Sequence, residues 1–130
     1  LEHELVRNRP GTESPVFDTP YGRIGVMICA DRRLPEIAGR MKKQGADFLL
    51  CLSGGMFGPK SNDWILQARS RETHLPIVFV HPAEFLVTGP DGSILDRTIF
   101  GNSLLIAPAE TGTPKDQNRV FYFDLPRSAP

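Results

Sequence analysis

The chain has 130 residues, enough for one domain with a buried core, and its 15 Lys and Arg residues balance 15 Asp and Glu residues. A net charge of zero provides no attraction to nucleic acid or to an anionic membrane surface, so neither is expected as a partner. No apolar stretch approaches the roughly 20 residues that span a bilayer, and residues 1–11 lack the apolar segment of a secretory signal. The composition therefore predicts a soluble, cytoplasmic protein.

Strand and helix patterns alternate along the first half of the chain. Strands are predicted at residues 15–18, 23–29 and 46–53, and the turn sequence TPYG separates the first two. Between the second and third strands, apolar residues from Leu34 to Met41 recur at the spacing of one helical face, and Gly45 marks the end of this helix. Strand, helix and strand in this order predict a parallel sheet, and hence an α/β fold.

A second helix and several short strands are predicted in the rest of the chain. The helix covers residues 61–74, with Ser61 and Asn62 as candidate caps and Trp64 on its apolar face. Short strands are predicted at residues 76–80, 84–89, 94–98, 103–108 and 119–125, and a PDG turn joins the second and third of these.

Cys29 is the first candidate functional residue, because it ends a predicted parallel strand directly before a helix. Sheets of this class carry their sites at that edge. The N–H groups of the helix start and the side chains of Arg32 and Arg33 favour the reactive thiolate. From these residues alone, Cys29 is either a nucleophile on a tight turn or a buried, unreactive thiol. Cys51, in mid-strand among apolar neighbours, is predicted to be unreactive core, and both cysteines are predicted to be free.

Two other patterns invite a binding site. His81 and Glu84 have the spacing of a pair of metal ligands, but no further ligand converges on them, so no metal is predicted. The glycine-rich sequence GGMFG, residues 54–58, lacks the lysine and the spacing of a phosphate-binding loop. It is predicted to be a loop on the substrate side of the sheet.

Three motifs in order resemble the second half of the carbon-nitrogen hydrolases of the nitrilase superfamily. They are GRIGVMICADRRLPE at residues 22–36, GADFLLCLS at residues 45–53, and Trp64 followed by ARSRE at residues 68–72. The resemblance implies the C-terminal portion of a nitrilase-like αββα sandwich. It also implies hydrolysis of non-peptide C–N bonds without a cofactor, by a cysteine thiolate with a glutamate base and a lysine.

The resemblance also assigns site residues. It makes Cys29 the nucleophile and the backbone N–H of Ala30 the donor to the oxyanion. A second glutamate of the family corresponds to Glu4, with Glu2 as a weaker match. The base glutamate and the lysine belong to an N-terminal half that no segment here matches. Residues 1–130, which begin with Leu1 rather than Met, are therefore predicted to be a partial domain and an incomplete catalyst.

The motif around the nucleophile also indicates the branch of the family. True nitrilases usually have Trp-Glu after the cysteine, whereas Ala30 and Asp31 stand here, which favours an amidase. The sequence CADRRLPE is similar to that of N-carbamoyl-D-amino-acid amidohydrolases, in which arginine holds the substrate carboxylate. Arg32 is accordingly predicted to bind substrate, and the substrate to be a small amide or carbamoyl compound. Homo-oligomers are expected from the resemblance alone.

Two alternatives remain open. The chain could be a non-catalytic remnant that acts as a structural or partner-binding domain, because the base and the lysine are not in it. It could also belong to another class of cysteine hydrolase, such as a glutaminase. That class requires a histidine and an acid near the thiol, downstream of Cys29.

Overall fold

The alternation of strands and helices is confirmed by the computed structural model, which describes residues 9–54, 57–99 and 125–126. The elements, in chain order, are β1 (Val16–Thr19), β2 (Gly22–Ile28), α1 (Pro35–Lys43), β3 (Phe48–Leu52), α2 (Asp63–Thr73), β4 (Ile77–His81), β5 (Glu84–Thr88) and β6 (Ile94–Ile99). The strands predicted at 103–108 and 119–125 lie outside the described residues, except for residue 125, which is in no strand.

The described strands form one six-stranded sheet in sequence order. Strands β2, β3 and β4 are parallel, as predicted, while β1, β5 and β6 add antiparallel edges. Parallel neighbours need a long crossover, and α1 and α2 supply the two crossovers. The carboxyl ends of β2 and β3 therefore lie side by side, with Ile28 paired to Leu52.

The two described helices pack on the same face of the sheet and form the core with it. The buried cluster contains Met27, Leu49, Cys51, Ile77 and Phe79 from the strands, together with Ala38, Met41, Ile65 and Leu66 from the helices. Gly25 allows α1 to approach closely, because a Cβ at this position would lie 2.5 Å from the Met41 sulfur. Burial of each large apolar side chain in this layer contributes about 1.5–3 kcal/mol.

The opposite face of β2, β3 and β4 is also apolar, but no described helix covers it. We call this surface the open face, and its members are Val26, Ile28, Leu50, Leu52, Val78 and Val80. Ile28, Leu52 and Val80 form a row across the three strands and are 63%, 42% and 44% exposed. Strands that are apolar on both faces are typical of sheets covered on both sides. Among the described residues, no helix is long and apolar enough to cross a membrane.

Candidate active site

Cys29 lies at a sharp turn rather than in the strand that was predicted to include it. Strand β2 ends at Ile28, and a 3-10 helix, Cys29–Arg33, begins there. Cys29 has a φ of 49°, in the left-handed region that costs a residue with a side chain about 1–3 kcal/mol. Two side chains of the same turn hold this conformation. Asp31 accepts the N–H of Ile28 at 2.9 Å, and the guanidinium of Arg32 donates to the carbonyl of Cys29.

The surroundings of the Cys29 thiol favour the thiolate. The hydroxyl of Ser53 donates to its sulfur at 3.8 Å, from the end of the neighbouring strand β3. Burial alone would raise the pKa of Cys29. The hydrogen bonds from Arg32 and Ser53, the charge of Arg32 and the N–H of Gly54 outweigh it and hold the pKa below its usual value of 9.0. Thiolate is the nucleophilic form, so this turn holds a partly exposed, activated sulfur.

Cys51 has the opposite environment. It is the penultimate residue of β3, lies on the helix-covered face and has no exposed surface. Burial raises the pKa of its thiol to about 12, so it is protonated at neutral pH. Both cysteines are free, as predicted. Only Cys29 therefore combines access with an ionisable sulfur.

The guanidinium of Arg32 points into the protein. Arg32 is 2% exposed, and its Nε and Nη2 atoms donate to the Asn62 side-chain oxygen at 3.1 Å and 2.8 Å. It also lies 5.9 Å from the centre of the Phe79 ring. The predicted contact of Arg32 with a substrate carboxylate stays a prediction, since Arg32 also lines the pocket described below. Two of the N–H groups of Arg32 are engaged by Asn62 and one by the carbonyl of Cys29.

Arg33, the next residue, is the exposed arginine of this turn. Its guanidinium lies 5.7 Å from the centre of the Phe57 ring, in the range of a cation–π contact. A pocket of about 200 Å³ opens beside the turn. The pocket is lined by Arg32, Arg33, Phe57, Ser61, Asn62, Trp64 and Ile65. The described part of the predicted substrate-side loop therefore contributes Phe57 to this pocket.

Of the other predicted site residues, the structure describes Ala30 but neither glutamate. Ala30 is an exposed residue directly after Cys29, and its role as oxyanion donor stays a prediction. Glu4 and the weaker candidate Glu2 lie outside the described residues.

His81 and Glu84 both take part in internal contacts. The Nδ1 atom of His81 accepts the N–H of Ala83 at 3.0 Å. Glu84, which is fully buried, pairs with Arg97 at 2.9 Å, and Arg97 also contacts Asp63 at the start of α2. In residues 9–54, 57–99 and 125–126, no three His, Cys, Asp or Glu side chains cluster closely enough to hold a metal ion.

Two residues near Cys29 were not identified from the sequence. Ser53 directly follows β3, and the parallel pairing of Ile28 with Leu52 places Ser53 beside Cys29. The register of β2 and β3 was therefore the signal that could have identified Ser53. Asn62 was assigned as a helix cap. It occupies that position, but its side chain makes no cap hydrogen bond and accepts from Arg32 instead. Nothing in the sequence indicates this exchange of partners.

Comparison with known proteins assigns the family. Residues 1–111 match the family model described as carbon-nitrogen hydrolase. The chain belongs to the carbon-nitrogen hydrolase family. It is 39% identical over 111 residues to the deaminated glutathione amidase of Homo sapiens, an alignment that covers 75% of this chain and 34% of that protein. It is also 31% identical over 130 residues to the omega-amidase of Saccharomyces cerevisiae, covering 95% of this chain and 41% of the relative.

A solved structure supports the same assignment for the fold. The crystal structure of a branch 10 member of the nitrilase superfamily from Saccharomyces cerevisiae superimposes with a TM-score of 0.68 at 27% identity. The alignment covers 78% of this chain and 42% of that one. The predicted α/β fold, a portion of the nitrilase-like sandwich, is thereby confirmed, and its relatives are of the amidase type. The chain spans about a third to two fifths of the length of the relatives it matches.

Proposed function

We propose that this carbon-nitrogen hydrolase cleaves small amides through an acyl-enzyme on Cys29. The observation that carries the proposal is the strained turn at the end of β2. The turn presents a partly exposed thiol, and its pKa is held below the usual value by Arg32 and Ser53. Strain of this kind is maintained only where the surrounding structure holds it, and it clusters at active sites. The amidase names of the relatives support amide hydrolysis as the reaction.

The reaction has two steps. The Cys29 thiolate attacks the amide carbonyl carbon, and the carbonyl electron pair moves to oxygen, where the Ala30 N–H stabilises the negative charge. The C–N bond then breaks, and a general acid supplies the proton with which ammonia or an amine leaves. Water then attacks the resulting thioester and gives one proton back to that acid–base group, and the carboxylic acid and the Cys29 thiolate are released. No cofactor takes part.

The reaction also needs a base glutamate, a lysine and a second glutamate, which we place outside the described residues. We propose that residues 1–130 are part of a longer domain that supplies the base glutamate and the lysine, and that Glu4 completes the site. A thiol without these partners is a weak catalyst, because residues of such a site act as a unit. The chain covers only 34% and 41% of the two relatives, which agrees with this division. Homo-oligomers of the longer protein are part of the same proposal.

The first experiment is to trap the acyl-enzyme. The full-length protein is mixed with a dicarboxylic acid monoamide, quenched in acid and digested for mass spectrometry. We expect the mass of the acyl group on the peptide that contains Cys29, and no addition on Cys51, which is buried and protonated. A thiol that stays unmodified during turnover contradicts the mechanism. A full-length protein that turns over neither amides nor carbamoyl compounds supports the non-catalytic remnant.

A substrate carboxylate is assigned to Arg33 rather than to Arg32. Both arginines line the pocket, but Arg33 is exposed, whereas Arg32 is 2% exposed and bound to Asn62. A charged hydrogen bond contributes about 1.5–3 kcal/mol. Arg33→Met should therefore lower kcat/KM for a dicarboxylic acid monoamide by about 10-fold to 100-fold, with little change for a neutral amide. The control is Arg40→Met, which removes an exposed arginine from α1.

Steady-state kinetics on both amides and on an N-carbamoyl amino acid measure this preference. Equal losses of kcat/KM for the charged and the neutral amide in Arg33→Met would contradict the assignment of Arg33. A higher kcat/KM for the carbamoyl compound than for the amides identifies the carbamoylase branch.

A further inference from the structure

A buried arginine holds the peptide group that follows the nucleophile. The Nη1 atom of Arg32 donates to the carbonyl oxygen of Cys29. The same guanidinium is fixed from its other side by two hydrogen bonds to Asn62 and lies over the Phe79 ring. Since Arg32 is enclosed, the carbonyl of Cys29 is directed toward the interior of the turn.

The direction of this carbonyl determines the direction of the next N–H. No peptide bond between described residues is cis, and in a planar trans peptide the C=O and the following N–H point in opposite directions. Drawing the carbonyl of Cys29 inward therefore turns the N–H of Ala30 outward. The N–H of Ala30 thus points away from Arg32, and Ala30 itself is an exposed residue.

Asn62 binds Arg32 instead of capping helix α2. It stands at the N-cap of α2, where an asparagine side chain ordinarily accepts an N–H of the first helical turn. Here the Asn62 side chain makes no such bond, and its oxygen accepts hydrogen bonds from the Nε and Nη2 atoms of Arg32. Its Nδ2 atom is buried and has no hydrogen-bond partner within the described part of the chain. Helix α2 thus lacks a side-chain cap, and the buried amide of Asn62 holds Arg32 in place.

We propose that Arg32 and Asn62 are positioning residues that orient the Ala30 N–H toward the oxyanion. Neither contacts substrate in this proposal; Asn62 fixes Arg32, and Arg32 fixes the Cys29–Ala30 peptide. The inference rests on the proposed function of Cys29 as an amide nucleophile. It also accounts for a buried arginine directly beside an exposed one in the same turn.

Two reactions of the same thiol test the proposal in the full-length protein. Amide hydrolysis passes through an oxyanion, whereas alkylation by iodoacetamide displaces iodide from a saturated carbon and forms none. Arg32→Met should lower kcat by about 10²-fold to 10³-fold, the loss typical of one oxyanion donor, with a smaller change in KM. The alkylation rate at high pH, where Cys29 is fully ionised, should change far less. The midpoint of its pH profile should rise, because Arg32 no longer stabilises the thiolate.

Paired variants separate positioning from folding. Arg32→Lys should recover part of kcat, because it restores one donor. Asn62→Asp keeps the acceptor for Arg32 and should retain more activity than Asn62→Leu, which removes it. The matched control is Arg40→Met, an exposed arginine of α1 that lies outside the turn. Thermal unfolding of each variant identifies any that fail to fold, and the Asn62 pair then replaces the Arg32 pair.

Each outcome decides the matter. A selective loss of hydrolysis with alkylation maintained supports the proposal. A parallel loss of both reactions, or an unchanged kcat in Arg32→Met and Asn62→Leu, overturns it while leaving the nucleophile in place. If the unaltered protein alkylates at Cys29 but hydrolyses no amide or carbamoyl compound, the proposed function and this inference fall together.

Discussion

Replacement of Cys29 by serine should lower kcat for amide hydrolysis by about 10⁴-fold or more, the scale of loss seen when a nucleophile is removed from a cooperating site. The turn favours a thiolate through hydrogen bonds and the charge of Arg32. A hydroxyl in the same place has a far higher pKa and stays protonated at neutral pH. Steady-state kinetics on the full-length protein measure the loss, with substrate well above KM so that weaker binding does not affect the comparison.

Cys51→Ala is the matched control for this substitution. It removes the other thiol of the chain, from the core under the helices. Deletion of a buried group leaves a small cavity and should cost about 0.5–3 kcal/mol of stability. We expect kcat to stay at its original level in the folded variant. If Cys51→Ala lost activity while Cys29→Ser kept it, the assignment of the nucleophile would be wrong.

The sequence could predict the position of Cys29 because that position depends on local patterns. Apolar runs and helical periodicity define β2, α1 and β3, and a parallel sheet then places the end of β2 at the functional edge. The resemblance contributed the motif that favours a nucleophile over a buried thiol at this position. The φ of Cys29 was beyond prediction, since it depends on contacts from Asp31 and Arg32.

The different roles of Arg32 and Arg33 could not be predicted, although the residues are adjacent. One turn directs the first inward and the second outward, and the partner that encloses Arg32 is Asn62, thirty residues later. Spacing along the chain carries no information on such a pair. Side-chain direction in an irregular turn is set by tertiary contacts rather than by a repeating period.

The same limit applies to Glu84, which sequence spacing associated with His81. Its actual partner, Arg97, comes from β6, where the register pairs Leu86 with Arg97 and so brings that side chain to the helix-covered face. Arg97 then reaches Asp63 at the start of α2, and Glu84 also accepts the N–H of Lys60. These contacts fix the segment that carries Asn62. A partly buried group of ion pairs therefore holds the residues on both sides of Asn62.

The open face connects the fold to the partial coverage of the relatives. Leu50 lies at its centre, paired with Val26 on one side and Val78 on the other. Contiguous apolar surface of this kind marks an interaction site rather than a surface suited to water. The predicted αββα sandwich has two sheets packed face to face, and the chain covers only 34% and 41% of the length of the two relatives. We therefore expect this face to be buried in the full-length protein.

Leu50→Lys tests that expectation through stability. If a second sheet covers the open face, the ammonium group is enclosed without a partner, and the full-length protein should lose about 3–5 kcal/mol of unfolding free energy. Tyr21→Lys is the matched control. Tyr21 is a large apolar residue, 81% exposed at the turn between β1 and β2, and its replacement should change stability by at most about 0.5 kcal/mol. Urea denaturation measures both. Equal midpoints for the two variants would mean that the face remains in water, and the two-sheet arrangement would have to be abandoned for this protein.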